Sequence, residues 1–425
     1  MPAYKSIYRL IDRVCAQLAD QPQLASTFAQ CFPNALETTI ERREDDSTFV
    51  LTGDIPAMWL RDASAQVAPY LPLAREDEDV RQMIRGLLQC MARFILLDPY
   101  ANSFTREPGT SLHTQDTPRP DPRVWERKFE LDSLCYPIKL CYDYWDITYD
   151  SSIFNNLTRD MLHTVLRVMH TEQHHERDSS YTFERAEPLL PTDTLINNGK
   201  GAPAGYTGMV WSGFRPSDDA CTYGYLIPAN MFASVVLNYV VIFAEQFFAD
   251  EEMTRRAQQL HNDIVAGIAG HGIVEHPRCG QIYAYETDGY GQHVLMDDAN
   301  VPSLLSLPYL GYCKPDDPLY QNTRRFILSS DNPYYWTGRA AQGIGSPHTP
   351  ARQVWPIALA MQGLTSTDVQ EQEALAKMLA ETTAGTGYMH ESFFVDDPAI
   401  FTRPWFAWAN SLFSEFILSW LALSS

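Results

Sequence analysis

The chain is short of positive charge. Among 425 residues, 32 lysines and arginines face 53 aspartates and glutamates, a formal net charge of -21. A nucleic-acid partner is excluded on that balance, because such binding draws its affinity from basic groups meeting phosphates. Cysteine is sparse and unpatterned. The eight residues from Cys15 to Cys313 form no CxxC pair and do not cluster in sequence with histidines. Neither a zinc site nor a disulfide scaffold is indicated, and reduced, mostly buried thiols in a cytoplasmic protein are expected. No apolar run reaches membrane-spanning length, and the N-terminal stretch Met1 to Leu10 lacks the charged-then-apolar pattern of a secretion signal. Low-complexity tracts and Pro/Gly/Ser linkers are missing as well, so residues 1–425 read as a single globular domain with no membrane partner. The GxSxG elbow and HExxH are absent, and Gly199-Lys200-Gly201 lacks the spacing and the Ser/Thr of a phosphate loop.

What the chain does have is a recurring unit, a polar or acidic loop followed by a strongly apolar helix. Six copies can be read: Leu60 to Ser64 before Ala65 to Leu73, Glu130 to Ser133 before Leu134 to Trp145, and Asp218-Asp219 before Pro228 to Phe247. The others are Asp297 to Asn300 before Val301 to Leu310, His348 to Arg352 before Val354 to Leu364, and Ala407 to Asn410 before Leu412 to Leu423. Amphipathic segments such as Glu78 to Leu97, Phe154 to Thr171 and Glu251 to Val265 lie between them. Six inner helices alternating with outer ones close into an all-α (α/α)6 toroid, in which the six polar loops gather at one pocket. The Pro-rich stretch 102–125 and the Pro/Gly/Asn-rich stretch 187–216 are too irregular for helix, and are expected to wall that pocket. Short strands are predicted near Ser180 to Phe183 and Gly280 to Glu286, where the pattern alternates.

Trp211-Ser-Gly-Phe-Arg-Pro-Ser-Asp-Asp-Ala-Cys-Thr-Tyr-Gly-Tyr225 mixes adjacent carboxylates, an arginine and aromatic rings just before an inner helix. Aromatic faces beside carboxylates suit the C–H faces and hydroxyls of a sugar, and cleaving a glycosidic bond commonly takes two carboxyl groups. Asp218 and Asp219 are one candidate pair. Neighbours on a loop point different ways, so at most one is the acid and the other caps the next helix or meets the sugar. Glu391, among aromatics and His390, is the second candidate, whereas Asp396 and Asp397 beside Pro398 read as a turn. Trp59-Leu-Arg-Asp62 offers a wall for a ring plus a donor fork and an acceptor. Glu130 and Asp132 are expected to point to different faces, one toward the site and one as a cap. His276, His348 and His390 could each hold a hydroxyl or orient a carboxylate, and His174-His175 reads as a solvated turn. Neither Asp218-Asp219 nor Asp297-Asp298 has the third carboxylate one helical turn on that a magnesium-dependent cyclase needs, so no metal is assigned.

Thr52 to Gln66, the Trp211 to Asp219 run and the Glu391 segment together resemble glycoside hydrolase family 125, the exo-acting α-1,6-mannosidases, over essentially the whole chain. The resemblance implies an (α/α)6 barrel, cofactor- and metal-independent hydrolysis with inversion, and non-reducing terminal α-1,6-linked mannose as the substrate. It puts the general acid at Asp218 and the base at Glu391, with Arg61, Asp62, Trp211, Arg215 and His348 around the terminal mannose. Trp59, Glu130, Asp132, Asp219 and His276 are the further candidates for substrate contact. The acid must stay protonated near neutral pH, so desolvation or a neighbouring carboxylate such as Asp219 is expected to lift it, and Arg215 is expected to face Asp219 or the sugar rather than Asp218. Without a secretion signal, the sugar is expected to be an imported mannose oligosaccharide, such as an N-glycan fragment, processed inside a bacterial cell. A glucoamylase- or trehalase-like specificity, or a silent sugar-binding protein, are the alternative readings.

Overall fold

The computed structural model describes residues 4–422. Twelve α-helices of eight residues or more run through them in chain order. They are α1 (Lys5–Gln17), α2 (Pro22–Cys31), α3 (Leu60–Val67), α4 (Glu78–Leu97), α5 (Leu131–Thr148) and α6 (Asn156–Gln173), then α7 (Ile227–Phe243), α8 (Glu251–His271), α9 (Pro318–Ile327), α10 (Pro356–Leu364), α11 (Val369–Glu381) and α12 (Ala407–Trp420).

The way each helix begins tells which layer it belongs to. The outer helices α4, α6, α8, α9 and α11 start in contact with water, and Asp77, Asn155, Asp250, Asp317 and Asp368 cap them by accepting first-turn N–H groups. The inner helices α3, α5, α7, α10 and α12 start inside the protein on Trp59, Glu130, Leu226, Trp355 and Phe406, none of which forms a side-chain cap. Inner helices pack in a ring, α12 on α3, α3 on α5, α5 on α7 and α10 on α12. Outer helices back them, α8 on α7 and α11 on α10, while the N-terminal α2 covers α12. Close approach within the ring needs small residues: a Cβ at Gly363 of α10 would lie 2.4 Å from the Phe416 ring of α12. One hydrophobic core runs from Ile7 to Leu418.

This is the (α/α)6 architecture with one inner position that is not helical. Val301 to Leu310, predicted as a helix, is a run of turns. Pro302 and Pro308 remove backbone donors, and the Asp297 carboxylate accepts the N–H groups of Leu304 and Leu305 at 2.8 and 3.0 Å, satisfying them without a helix. Boundaries shift elsewhere too. The expected loop Leu60 to Ser64 is itself helical, and Ala68–Arg75, with Pro69 and Pro72, continues α3 as a 3-10 helix. Ser180 to Phe183 forms no strand, whereas Gly280–Tyr283 pairs with Ile273–His276. Ile227–Phe248, at 22 residues, does have the length and apolarity to cross a membrane, contrary to the sequence reading; it is an inner helix, with 72% of its most apolar window buried in the protein. All eight cysteines are unpaired, and only Cys31, Cys90, Cys135 and Cys141 are fully buried.

Candidate active site

A three-stranded antiparallel sheet, Ala57–Trp59 with Ser103–Thr105 and Val124–Glu126, sits at the mouth of the ring. Its register sets Trp59 opposite Ser103 and Ser103 opposite Glu126, which places Asn102 beside the start of α3. Facing it, Arg215 to Asp219 forms a tight reversal closed by Arg215 N–H to Asp219 O at 2.8 Å, with Asp218 in the left-handed region at φ 66°. Aspartate tolerates that conformation better than most side chains. Asp218 Oδ1 accepts from Trp59 Nε1 at 3.2 Å and from Asn102 Nδ2 at 3.0 Å, and Lys128 Nζ donates to the Asp218 carbonyl at 2.8 Å.

Behind Asp218 lies a buried charge cluster centred on Arg61. Its Nη1 reaches Glu130 Oε2 at 2.5 Å and Asp132 Oδ2 at 3.2 Å, its Nε lies 3.4 Å from Asp62, and its Nη2 lies 3.9 Å from Asp218. Burial raises Glu130 well above the usual carboxylate range and the charges of Asp218 and Asp132 add to this, against Arg61. Asp62 is pushed up to about 6, by burial and by Asp218, with Arg61 again opposing. Burial also acts upward on Asp218, but the hydrogen bond from Glu130 and the charges of Lys128, Arg61 and His348 outweigh it, and its carboxyl is held below its ordinary value.

Across the opening, Glu391 precedes the small sheet of Gln353–Val354, Phe393–Phe394 and Asp397–Phe401. Arg403 Nη1 lies 3.5 Å from Glu391 Oε1. His348 Nδ1 stands 3.5 Å from Asp219 Oδ2. Desolvation acts downward on His348, yet the hydrogen bond and charge of Asp219, with Asp218 and Glu391 beyond, raise it to about 9. Asp218 and Glu391 line one cavity of about 220 Å³. Trp59, Trp355, Phe406 and Trp408 supply aromatic walls, and Arg61, Asp62, Asn300, His348 and Arg403 supply polar groups.

Residues 21–418 match the family of metal-independent α-mannosidases, GH125. The chain belongs to that family. A protein of the yeast Schizosaccharomyces pombe, the meiotically up-regulated gene 157 protein, is 44% identical over 98% of this chain and 86% of its own length. A metal-independent α-mannosidase from Streptococcus pneumoniae, in a non-productive complex with α-1,6-mannobiose, superposes with a TM-score of 0.97 at 46% identity over the whole of both chains. A bacterial glucoamylase bound to acarbose is 14% identical with a TM-score of 0.53, over 87% of this chain and 49% of its own, and shares the fold. The protein is therefore an α-mannosidase and a glycoside hydrolase.

Within this mannosidase, the six polar loops do converge. Arg61 and Asp62, Asp218, Asn300, His348 and Trp408 line the cavity from five of them, and Glu130 and Asp132 reach it through Arg61. Several expected sugar contacts are elsewhere. Trp211 is 1% exposed and stacks on His175 at 3.6 Å, because Gly201, Gly213 and Gly224 leave it a slot inside the protein. His175 is correspondingly buried, bonded to Glu172 at 2.6 Å and to the Lys200 carbonyl at 3.1 Å, and is no solvated turn. Arg215 turns from the cavity to a buried ion pair with Glu286 at 2.6 Å; it avoids Asp218 as expected, but faces neither Asp219 nor the sugar pocket. His276 lies on the hairpin near Asp331 and Cys279, away from the cavity, and Asp331 is already paired with Arg278. His390 stacks on Phe401 and meets the Arg403 carbonyl at 2.9 Å. Glu130 and Asp132 do not diverge, since both end on Arg61 and neither is a cap. Asp219 caps no helix; it is held by Thr192 at 2.7 Å and Ser217 at 2.8 Å, and Glu130 rather than Asp219 is the carboxyl bonded to Asp218.

Sequence reading missed Asn102, Lys128, Arg403, Trp355 and Phe406. For the last two a signal existed: like Trp59, each is an aromatic residue at the N-cap of an apolar helix that lacks a polar cap. The stretch 102–125 supports Asp218 from behind through Asn102 instead of walling the cavity, and 187–216 contributes Pro216 to the lining.

Proposed function

We propose that this mannosidase is an exo-acting, inverting enzyme that removes non-reducing terminal α-1,6-linked mannose, with Asp218 as general acid and Glu391 as general base. The observation that carries the assignment is that these two carboxyls, 173 residues apart in the chain, border the same small cavity with side chains 26% and 15% exposed. Asp218 gives its proton to the glycosidic oxygen as the bond to C1 breaks. Glu391 takes a proton from the water that attacks C1 from the opposite face, so the released sugar carries the inverted hydroxyl. A volume of about 220 Å³ is below the roughly 300–1,000 Å³ of drug-sized ligand sites. It suits one terminal sugar ring better than a length of internal chain. The α-1,6 linkage rests on the likeness to the S. pneumoniae enzyme.

Asp62, next to Arg61 and with one buried carboxylate oxygen free of hydrogen bonds, is the acceptor best placed for a sugar hydroxyl. N-glycan-derived or other manno-oligosaccharides are the substrate class of this reading, and a bacterial setting belongs to the same proposal, as does a cytoplasmic one, for which the eight unpaired cysteines speak. An NMR time course with excess chelator on α-1,6-mannobiose and its α-1,2 and α-1,3 isomers tests it. β-Mannose formed first from the α-1,6 isomer alone is expected. α-Mannose would mean retention and remove Glu391 from the role of base.

A further inference from the structure

The working acid of this site must carry a proton at neutral pH, yet everything that touches Asp218 Oδ1 is a donor: Trp59 Nε1 and Asn102 Nδ2 both aim hydrogens at it. Two N–H donors on one carboxylate oxygen favour the ionised form. A second carboxyl lies against it. Glu130, at the N-terminus of α5, shares a donor with Asp218: the Asn102 amide nitrogen lies 3.0 Å from Asp218 Oδ1 and 3.1 Å from Glu130 Oε1, which brings the two carboxyls together so that a hydrogen bond joins them when one carries a proton. Glu130 has no exposed side-chain surface, while Asp218 reaches the cavity. Two carboxyls this close do not both stay ionised at rest, and one proton is held between them.

We propose that Glu130 is a positioning residue that stores the proton used in catalysis, sharing it with Asp218 across their hydrogen bond so that the two act as one acid. The inference rests on Asp218 being the acid. The one proton of the pair passes from Glu130 through Asp218 to the leaving oxygen as the bond to C1 breaks, which leaves Glu130 ionised opposite Arg61 at 2.5 Å and Asp218 ionised between the N–H donors of Trp59 and Asn102. No other bond changes in that shift. The pair is reset by one proton from water, matching the one that Glu391 returns to solvent. Arg61 and Lys128 lower the pair's hold on its proton, Asp62, Asp132 and Glu126 raise it, and His348 acts on the Asp218 side. Burial keeps Glu130 protonated in the resting pair, in agreement with this assignment.

Glu130→Gln keeps the shape and removes the store. The measurement is kcat/KM against pH, with α-1,6-mannobiose and with α-mannosyl fluoride, whose leaving group needs little protonation. Losing a negative partner lets Asp218 release its proton more easily, so the alkaline limb for mannobiose is expected to move down by one pH unit or more. The loss at pH 7 is expected to be at least tenfold larger for mannobiose than for the fluoride. Equal losses on both substrates with an unmoved limb would make Glu130 merely structural and overturn the proposal, as would a wild-type profile. If Glu130→Gln does not fold, Glu130→Asp, which keeps the charge beside Arg61 but withdraws it from Asp218, is read in the same way. Asp218→Asn is measured alongside: wild-type turnover of mannobiose in that variant would remove Asp218 as the acid, whereas an inactive Asp218→Asn beside an unaltered Glu130→Gln would remove only the shared proton.

Discussion

Arg403 joins Asp54 to Glu391, with Nη2 2.7 Å from Asp54 Oδ1 and Nη1 3.5 Å from Glu391 Oε1. Its guanidinium also lies over the Phe406 ring at 5.3 Å, which fixes its plane. A base that must be aimed at a water molecule gains a fixed orientation from such a partner. Arg403→Met is expected to lower kcat/KM on α-1,6-mannobiose by about 10- to 100-fold, the size of one charge-assisted hydrogen bond. Asp54→Asn, at the exposed end, is expected to cost much less. Steady-state kinetics decides; equal losses would assign the effect to the ion pair instead of to the contact with Glu391.

Removing the base itself is the sharper test. Glu391→Gln is expected to reduce turnover by about 10²–10⁴ while calorimetry shows mannobiose binding within a few-fold of wild type. Wild-type turnover in that variant would leave the proposed reaction without its base.

Trp211 gives a prediction that separates packing from recognition. Trp211→Ala is expected to cost about 3–5 kcal/mol of stability, as for other buried aromatics, read as a fall in melting temperature. Trp211→Phe is expected to retain the wild-type KM. A raised KM with an unchanged melting temperature would restore Trp211 to the sugar pocket.

Arg215 and Glu286 form a buried pair of which neither partner meets the cavity. Breaking such a pair from one side commonly costs about 3–5 kcal/mol. Arg215→Met is expected to destabilise the fold on chemical denaturation far more than it changes KM, and the opposite pattern would count against a structural role.

His348 sets a pH signature. Its folded value of about 9 lies above the roughly 6.5 of an unfolded histidine. The stabilisation from its Asp219 contact is therefore fully present below about pH 6.5 and is lost as pH rises through about 9. Melting temperatures of wild type and His348→Asn are expected to differ most at pH 6 and to converge by about pH 9.5. A constant difference across that range would show that His348 gains no proton on folding.

Much of the site was legible in the chain. Asp218, Arg61, Asp62 and His348 sit in the polar loops that precede apolar helices, which periodicity is enough to find, and Glu391 is marked by its aromatic neighbours and His390. Trp211 and Arg215 were misread because a motif records neighbours along the chain and not the direction of side chains. Trp211 to Arg215 pack inward, and only Pro216, Ser217 and Asp218, carried outward by the tight reversal between Arg215 and Asp219, reach the cavity. Asn102, Lys128 and Arg403 carry no local pattern; they matter through hydrogen bonds to partners 116, 90 and 12 residues away.

The sequence by itself determined the layers, because an all-round apolar helix has to be inside and an Asp- or Asn-capped amphipathic one outside, wherever the ring closes. It also determined that two separated carboxyls would meet at one end of that ring. Only the tertiary structure decided which buried carboxyl touches the acid. Glu130 and Asp218 are 88 residues apart, and what brings them into one hydrogen bond is the convergence of α5, the Asn102 strand and the left-handed turn at Asp218 on a single arginine. Their shared proton is a property of that burial and that distance, neither of which is written in either residue's neighbours.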